Sequence, residues 1–388
     1  MKLRIAQLLD TLYWGGAQRM QIFLVETLAP LGIDLTVIDM SESINSLVPG
    51  RLRELGARVV QFPFDGLFSP GAFVQLWRFL QAEKFDLLHT YLTHANTVGP
   101  LLGKLSGTPV IASLRAADFE YKTFTRRREL LERRSIQAFA AVTMANGIVV
   151  GEFARARLGA KAPVAVIPNA IESLPPLADA ERLALRRSVL GDAPGPLVLS
   201  VGRLVEQKGF PDLLDAYAQV QAEFPGSRLA IAGEGELRPL LEGQIARLGL
   251  AGRAVLLGLR PDARRLMGCA DIYANSSVLE GTPVTLLEAM ASGLPVIATR
   301  VGEGPHLLDG GAAGLLADAH APDQLAEALR RLLGSADERA RLGQAARQRV
   351  ELCYNREAWR SSLLELYAQV SPRAGEFVTQ LKAGQAAR

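Results

Sequence analysis

Two glutamates, Glu280 and Glu288, flank Gly281-Thr282-Pro283 in the stretch SSVLEGTPVTLLEAMASGLPVIAT, residues 276–299. The stretch reads as strand end, loop and apolar helix. Thr282 is placed to cap that helix and Pro283 to take its first position. The free N–H groups from Gly281 through Val284 to Thr285 then lie at the positive end of the helix dipole, which suits phosphate. At 1.5 Å per residue, Glu288 stands roughly 9 Å along the axis from Thr282. A carboxylate accepts two hydrogen bonds, so each glutamate can hold a sugar diol, one at either end of a bound diphosphate. The plainer alternative is a capped helix with two solvated acids.

A second loop adds positive charge. VGRLVEQKG (201–209) leaves an apolar run with Arg203 and Lys208 on it. Arginine offers a planar fork that matches phosphate, and lysine a mobile point charge. With the helix terminus they make three cationic elements for one diphosphate. Such a set stabilises a leaving group that departs with growing negative charge, with no metal required.

The elements that must position these loops alternate along the chain. LRIAQLL (3–9), DLTVIDM (34–40), FDLLHTY (85–91) and TPVIASLR (108–115) are short apolar runs separated by amphipathic stretches. The rhythm restarts at GPLVLSVGR (195–203) and continues through SRLAIAGEG, AVLLGL, ADIYANSS and LPVIATRVG. It is the βαβ pattern of parallel sheets covered by helices, and predicts an α/β fold of two doubly wound, Rossmann-like lobes facing across a cleft. Pro175-Pro176 and Asp192-Ala193-Pro194-Gly195-Pro196 read as connectors, which puts the boundary near residue 170: one domain over 1–170, a second over 171–355. Ligands of such sheets sit beyond the carboxyl ends of the strands, where these loops fall.

Composition narrows the classes. A chain of 388 residues suits two cores, and 49% apolar with 21% charged residues is ordinary globular material. A net charge of +3 argues against a dedicated nucleic-acid binder. Cys269 and Cys353 belong to no metal-spaced cluster and read as reduced thiols of a cytoplasmic protein. The start is too short in apolar residues for a signal peptide, and no run approaches the ~18 of a membrane span. LLDTLYWGGAQRM carries no Gly-x-Gly-x-x-Gly, which argues against a dinucleotide dehydrogenase, and GRLVEQKG is no P-loop, so an ordinary NTPase is out as well. Nothing calls for a bound metal or another cofactor.

Taken in order, GGAQRM, VGRLVEQKG, IAGEGELRPLLE and EGTPVTLLEAMASGLPVIAT resemble the motifs of GT-B glycosyltransferases of the retaining family 4 group, over nearly the whole chain. The resemblance implies sugar transfer from a nucleotide-diphosphate sugar, UDP by default, to a glycan or lipid-linked acceptor at the cytoplasmic face of a membrane. It places the ribose on Glu288, the transferred sugar at Glu280, and the diphosphate on Arg203, Lys208, Gly281, Thr282, Pro283 and Val284. Gly15 and Gly16 then serve a glycine turn near the phosphate, and Gly233 and Leu259 wall the base. The closing helix, about 356–388, is implied to pack back on the first domain.

The resemblance also implies a histidine near the donor sugar from DLLHTYLTHANTVG (86–99). Relatives often carry His-x-His where this chain has His89-Thr90-Tyr91, which makes His94 the candidate in place of Tyr91. VGEGPHLL (301–308) and IPNAIE (167–172) are further departures. Arg126, Arg127, Arg128, Arg133 and Arg134 share one stretch, either a solvated helix face or a surface for an anionic membrane or acceptor. A glycoside hydrolase using Glu280 and Glu288 leaves the cations unexplained. A sugar-nucleotide epimerase needs an acid/base pair beside the sugar, and a non-catalytic nucleotide-sugar-binding subunit needs only the binding residues.

Overall fold

The computed structural model describes residues 2–13, 15–42, 46–67, 69–115, 126–159, 162–172, 175–191 and 195–386. Trp14, most of the second connector (192–194) and residues 121–125 ahead of the arginine stretch lie outside the described residues. The chain divides into two compact units, Met1–Asn169 with Arg356–Arg388, and Ala170–Asn355.

The first unit holds a seven-stranded sheet: β1 (Arg4–Leu9), β2 (Asp34–Asp39), β3 (Arg58–Gln61), β4 (Leu87–Tyr91), β5 (Val110–Leu114), β6 (Val142–Ala145) and β7 (Val164–Val166). Their spatial order is β3-β2-β1-β4-β5-β6-β7, with every pairing parallel. The second unit holds β8 (Leu197–Val201), β9 (Arg228–Ala232), β10 (Ala254–Leu256), β11 (Ile272–Asn275), β12 (Val296–Thr299) and β13 (Leu315–Ala317), ordered β10-β9-β8-β11-β12-β13 and also parallel.

Both faces of each sheet are covered, which is why the strands read as nearly unbroken apolar runs. Side chains alternate between faces. On β8, Leu197 and Leu199 pack against Leu286, Leu287 and Met290, while Val198 turns the other way to Leu213, Leu214 and Tyr217. In each sheet the strand order reverses once, between β1 and β4 and between β8 and β11. Diverging loops at such a switch point leave room for a ligand at the strands' carboxyl ends.

The chain returns to the first unit at its end. Trp359 of the Arg356–Val370 helix meets Phe23 edge-on at 5.2 Å between ring centroids, and Arg356 stacks over the same ring at 4.8 Å. Tyr367 is fully buried beside β4.

Candidate functional site

In the second unit, Arg203, Lys208 and Glu280 lie on the two loops that flank its switch point. After β8 the chain passes Arg203 and reaches Lys208 in a single 3₁₀ turn, Glu206–Lys208. After β11 it passes Ser276, Ser277 and Glu280, then enters the helix Val284–Ala291. Backbone bonds lace the loops together. The Val278 N–H donates to Gln207 O at 2.9 Å, and Ser276 Oγ donates to Lys208 O at 2.9 Å. Gly209 sits at φ +58 with the Ser276 carbonyl where a Cβ would stand, a backbone state that glycine adopts without steric cost.

This lacing brings Lys208 Nζ into an ion pair with Glu280 Oε1. Ser277 Oγ donates to the same carboxylate oxygen at 2.7 Å. Glu280 is therefore a held, 9% exposed carboxylate and not a solvated acid at a loop mouth. Arg203 is exposed, and among the described residues its guanidinium has no hydrogen-bond or ion-pair partner. Glu288 is buried inside the helix, and its charge together with that of Glu280 acts on the Tyr273 phenol. Burial first, then those two charges, push that phenol well above its ordinary range, while a hydrogen bond with Thr285 opposes them.

The helix start needs one correction. Pro283, not Thr282, is the N-cap, because its ψ of 101° is extended and helical geometry begins at Val284. Thr282 lies one residue farther out, buried on the loop. Gly281 is fixed from behind: its carbonyl accepts from the Glu303 N–H at 2.9 Å, and Gly302 sits at φ +50 against the Glu280 and Gly281 carbonyls. Gly233 follows β9 and bridges to Gly258, which sets Leu259, 64% exposed, beside it.

In the first unit, Gly15 is the extended N-cap of the Gly16–Leu28 helix after β1, with no side chain capping it. Gly16 is thus the first helical residue and lies past the turn that the resemblance assigned to it. His94 is the second residue of the Thr93–Ser106 helix after β4. The residue that holds it, Asp10, escaped the sequence reading. Asp10 directly follows β1, crosses the switch point and accepts from the His94 N–H at 3.0 Å and the Ala95 N–H at 2.6 Å. Burial pushes its carboxyl up to about 7 against the pull of those two amides. The only signal in the sequence is an acid directly after the first apolar strand.

The His94 Nε2 lies 3.3 Å from the Leu67 carbonyl, which can only accept, so Nε2 carries the proton and Nδ1 the lone pair. Burial lowers its pKa, with the Arg128 charge adding to the effect and the Leu67 bond opposing it. The ring is therefore neutral at pH 7. His89 and Tyr91 are otherwise engaged. His89 is fully buried, with Nδ1 2.9 Å from Tyr91 Oη and 3.0 Å from Tyr367 Oη, and Nε2 2.9 Å from Ser113 Oγ. Burial holds its pKa well below the usual imidazole range. Arg115 covers the Tyr91 ring at 5.0 Å.

The five arginines lie on one helix, Arg126–Phe139. Arg126, Arg127, Arg133 and Arg134 are exposed and Arg128 half-buried. Its inner face buries Ile136 and Glu132, the latter paired with Arg157 at 2.9 Å. Leu130, Leu131 and Phe139 are left exposed, so the apolar side is only partly in the core. Among the described residues no helix is long and apolar enough to cross a membrane.

Comparison with known proteins matches residues 15–170 to a glycosyl transferase 4-like domain and residues 182–349 to glycosyl transferases group 1. The lipopolysaccharide core biosynthesis glycosyltransferase LpsE of Rhizobium meliloti (strain 1021) is 27% identical over 357 residues, 91% of this chain and 96% of that protein. The Escherichia coli UDP-Gal:alpha-D-GlcNAc-diphosphoundecaprenol alpha-1,3-galactosyltransferase is 27% identical over 270 residues, 67% of this chain and 69% of that one. The fold is similar to that of Anabaena Alr3699/HepE, solved with UDP and with UDP-glucose. The TM-score is 0.84 at 22% identity, covering 95% of this chain and 100% of that one.

Proposed function

Because the chain belongs to the group 1 glycosyltransferases, of GT-B fold, we propose that it transfers a sugar from a UDP-sugar to a lipid-linked acceptor with retention and without a metal. The observation that carries this reading is the pairing of Lys208 with Glu280 beside exposed Arg203 and the start of the Val284–Ala291 helix. Cation, carboxylate and amides meet there on two laced loops. UDP as the nucleotide is supported by the UDP complexes of HepE and by the UDP-Gal name of the E. coli relative, and a lipid acceptor by the diphosphoundecaprenol in that name.

In this reading the diphosphate lies against Arg203, Lys208 and the amides near Val284, and the ribose hydroxyls on Glu288. Glu280 steadies the Lys208 ammonium and faces the transferred sugar. The bond from the anomeric carbon to the phosphate oxygen breaks as charge grows on the phosphate, which the cations and amides stabilise. The acceptor oxygen bonds to the same face of that carbon, and its proton passes to the departing phosphate. The Nδ1 lone pair of His94 accepts from a sugar hydroxyl. The protein supplies position and charge, and no protein nucleophile is used.

A thermal-shift screen with UDP, GDP and ADP and their sugars tests the donor. UDP at about 100 times its Kd adds about 2.7 kcal/mol of stability and raises the melting point. No shift with any of the three removes the reading. Transfer that continues in EDTA and gives product of unchanged anomeric configuration by NMR supports the mechanism. Inversion rejects it.

A further inference from the structure

We propose that an apolar cavity in the first unit binds the hydrocarbon chain of a lipid-phosphate acceptor, with the Arg126–Phe139 helix holding its phosphate. The proposal rests on the glycosyl-transfer reading and names the acceptor's chemistry.

The cavity measures about 420 Å³, within the range of small-molecule sites. Val98 and Leu101 of the Thr93–Ser106 helix form one wall, and Leu131, Ala138 and Phe139 of the arginine helix the other. Leu131, Arg134, Ser135 and Ala138 follow at i, i+3, i+4 and i+7, so they form one stripe of that helix. Apolar side chains beside a cavity are normally covered, yet Leu131 and Phe139 are each 38% exposed. Among the carbon-lined walls Arg134 is the charged residue, and buried Ser135 Oγ has no hydrogen-bond partner among the described residues. The occupant this describes is an apolar chain that also carries an anion.

The cavity also adjoins His94. Phe64, one of its walls, meets the His94 ring edge-on at 5.2 Å, and the Leu67 carbonyl of the same wall accepts from His94. Arg128 stands close enough for its charge to act on both His94 and Asp10. From Arg128 to Phe139 the helix runs about 16 Å at 1.5 Å per residue. A sugar at His94, a phosphate among Arg128 and Arg134, and a chain running toward Phe139 fit this order. A flat bilayer would meet the arginines but has no use for a concave slot between two helices, so a single chain is the occupant the shape selects.

Isothermal titration of the full chain with farnesyl phosphate, kept below its micelle concentration, tests the proposal against farnesol and glycerol 3-phosphate. Ala138→Trp fills the slot and Leu131→Glu places a like charge in it; both positions are exposed, so the fold survives. Farnesyl phosphate is expected to bind at least tenfold tighter than either control. Each variant is expected to weaken it at least tenfold while the UDP melting shift stays unchanged. Equal binding by wild type and both variants overturns the proposal, as does farnesol binding as tightly as farnesyl phosphate. Attachment only to anionic vesicles, surviving both variants, overturns it in favour of a membrane surface. A wild type that binds farnesyl phosphate but shows no UDP shift sinks the transfer reading instead.

Discussion

At the scale of single residues, Arg203 and Lys208 have the same proposed task and different surroundings. Losing one preorganised donor to a departing phosphate costs on the order of 100- to 1,000-fold in turnover, and Arg203→Ala and Lys208→Ala are each expected to show it. Only Lys208→Ala also strips the cationic partner from the buried Glu280 carboxylate, which keeps its hydrogen bond from Ser277. Its melting point is therefore expected to fall, whereas Arg203→Ala stays within about 0.5 kcal/mol of wild type. Near-normal turnover in both variants would end their role. Asp10 gives a pH signature. Its carboxyl moves from an ordinary 3.8 up to about 7 in the folded chain, chiefly through burial. The folded state thus binds the proton more tightly, so this group lowers stability as pH rises from about 4 to about 7, and the loss is complete above that. Asp10→Asn cannot ionise there. Wild-type stability measured by urea unfolding should fall relative to the variant across that window, and a constant difference would refute the assignment.

At the scale of elements, the loop carrying Glu280 is set by the backbone behind it. Gly302 at φ +50 touches the Glu280 and Gly281 carbonyls, so Gly302→Ala forces both an unfavourable backbone state and a collision. A loss of at least about 1–2 kcal/mol in urea unfolding is expected, with weaker UDP binding because Glu280 and Gly281 move. Unchanged stability would mean that the loop does not lean on Gly302. Much at this scale was readable in the sequence, since strands buried on both faces appear as apolar runs such as LVLSV. The cap lies one residue later than the sequence suggests, because threonine favours the N-cap and proline the first helical position, and only the ψ of Pro283 shows otherwise. Asp10 was invisible because it caps a helix 84 residues later in the chain. The partnership of His89 with Tyr367 spans 278 residues and leaves no local trace.

At the scale of the whole molecule, two similar sheets are completed by different means. The second unit uses one continuous segment, Ala170–Asn355, whereas the first borrows the last helices of the chain. Trp359→Ala removes a buried ring from Phe23 and is expected to cost about 3–5 kcal/mol in the first unit. Calorimetry should show one transition moving down while the UDP-sensitive transition of the second unit stays in place. A shift of the UDP-sensitive transition alone would contradict that division. The borrowed helices also order events during synthesis. A ribosome releases residues 1–169 first, but the ring that sits against His89 arrives only with Tyr367. Until the Arg356–Val370 helix has been made, His89 lacks that ring, whereas the segment Ala170–Asn355 is already complete. Birth order and completion order are thereby reversed, and that helix decides whether the first unit becomes native.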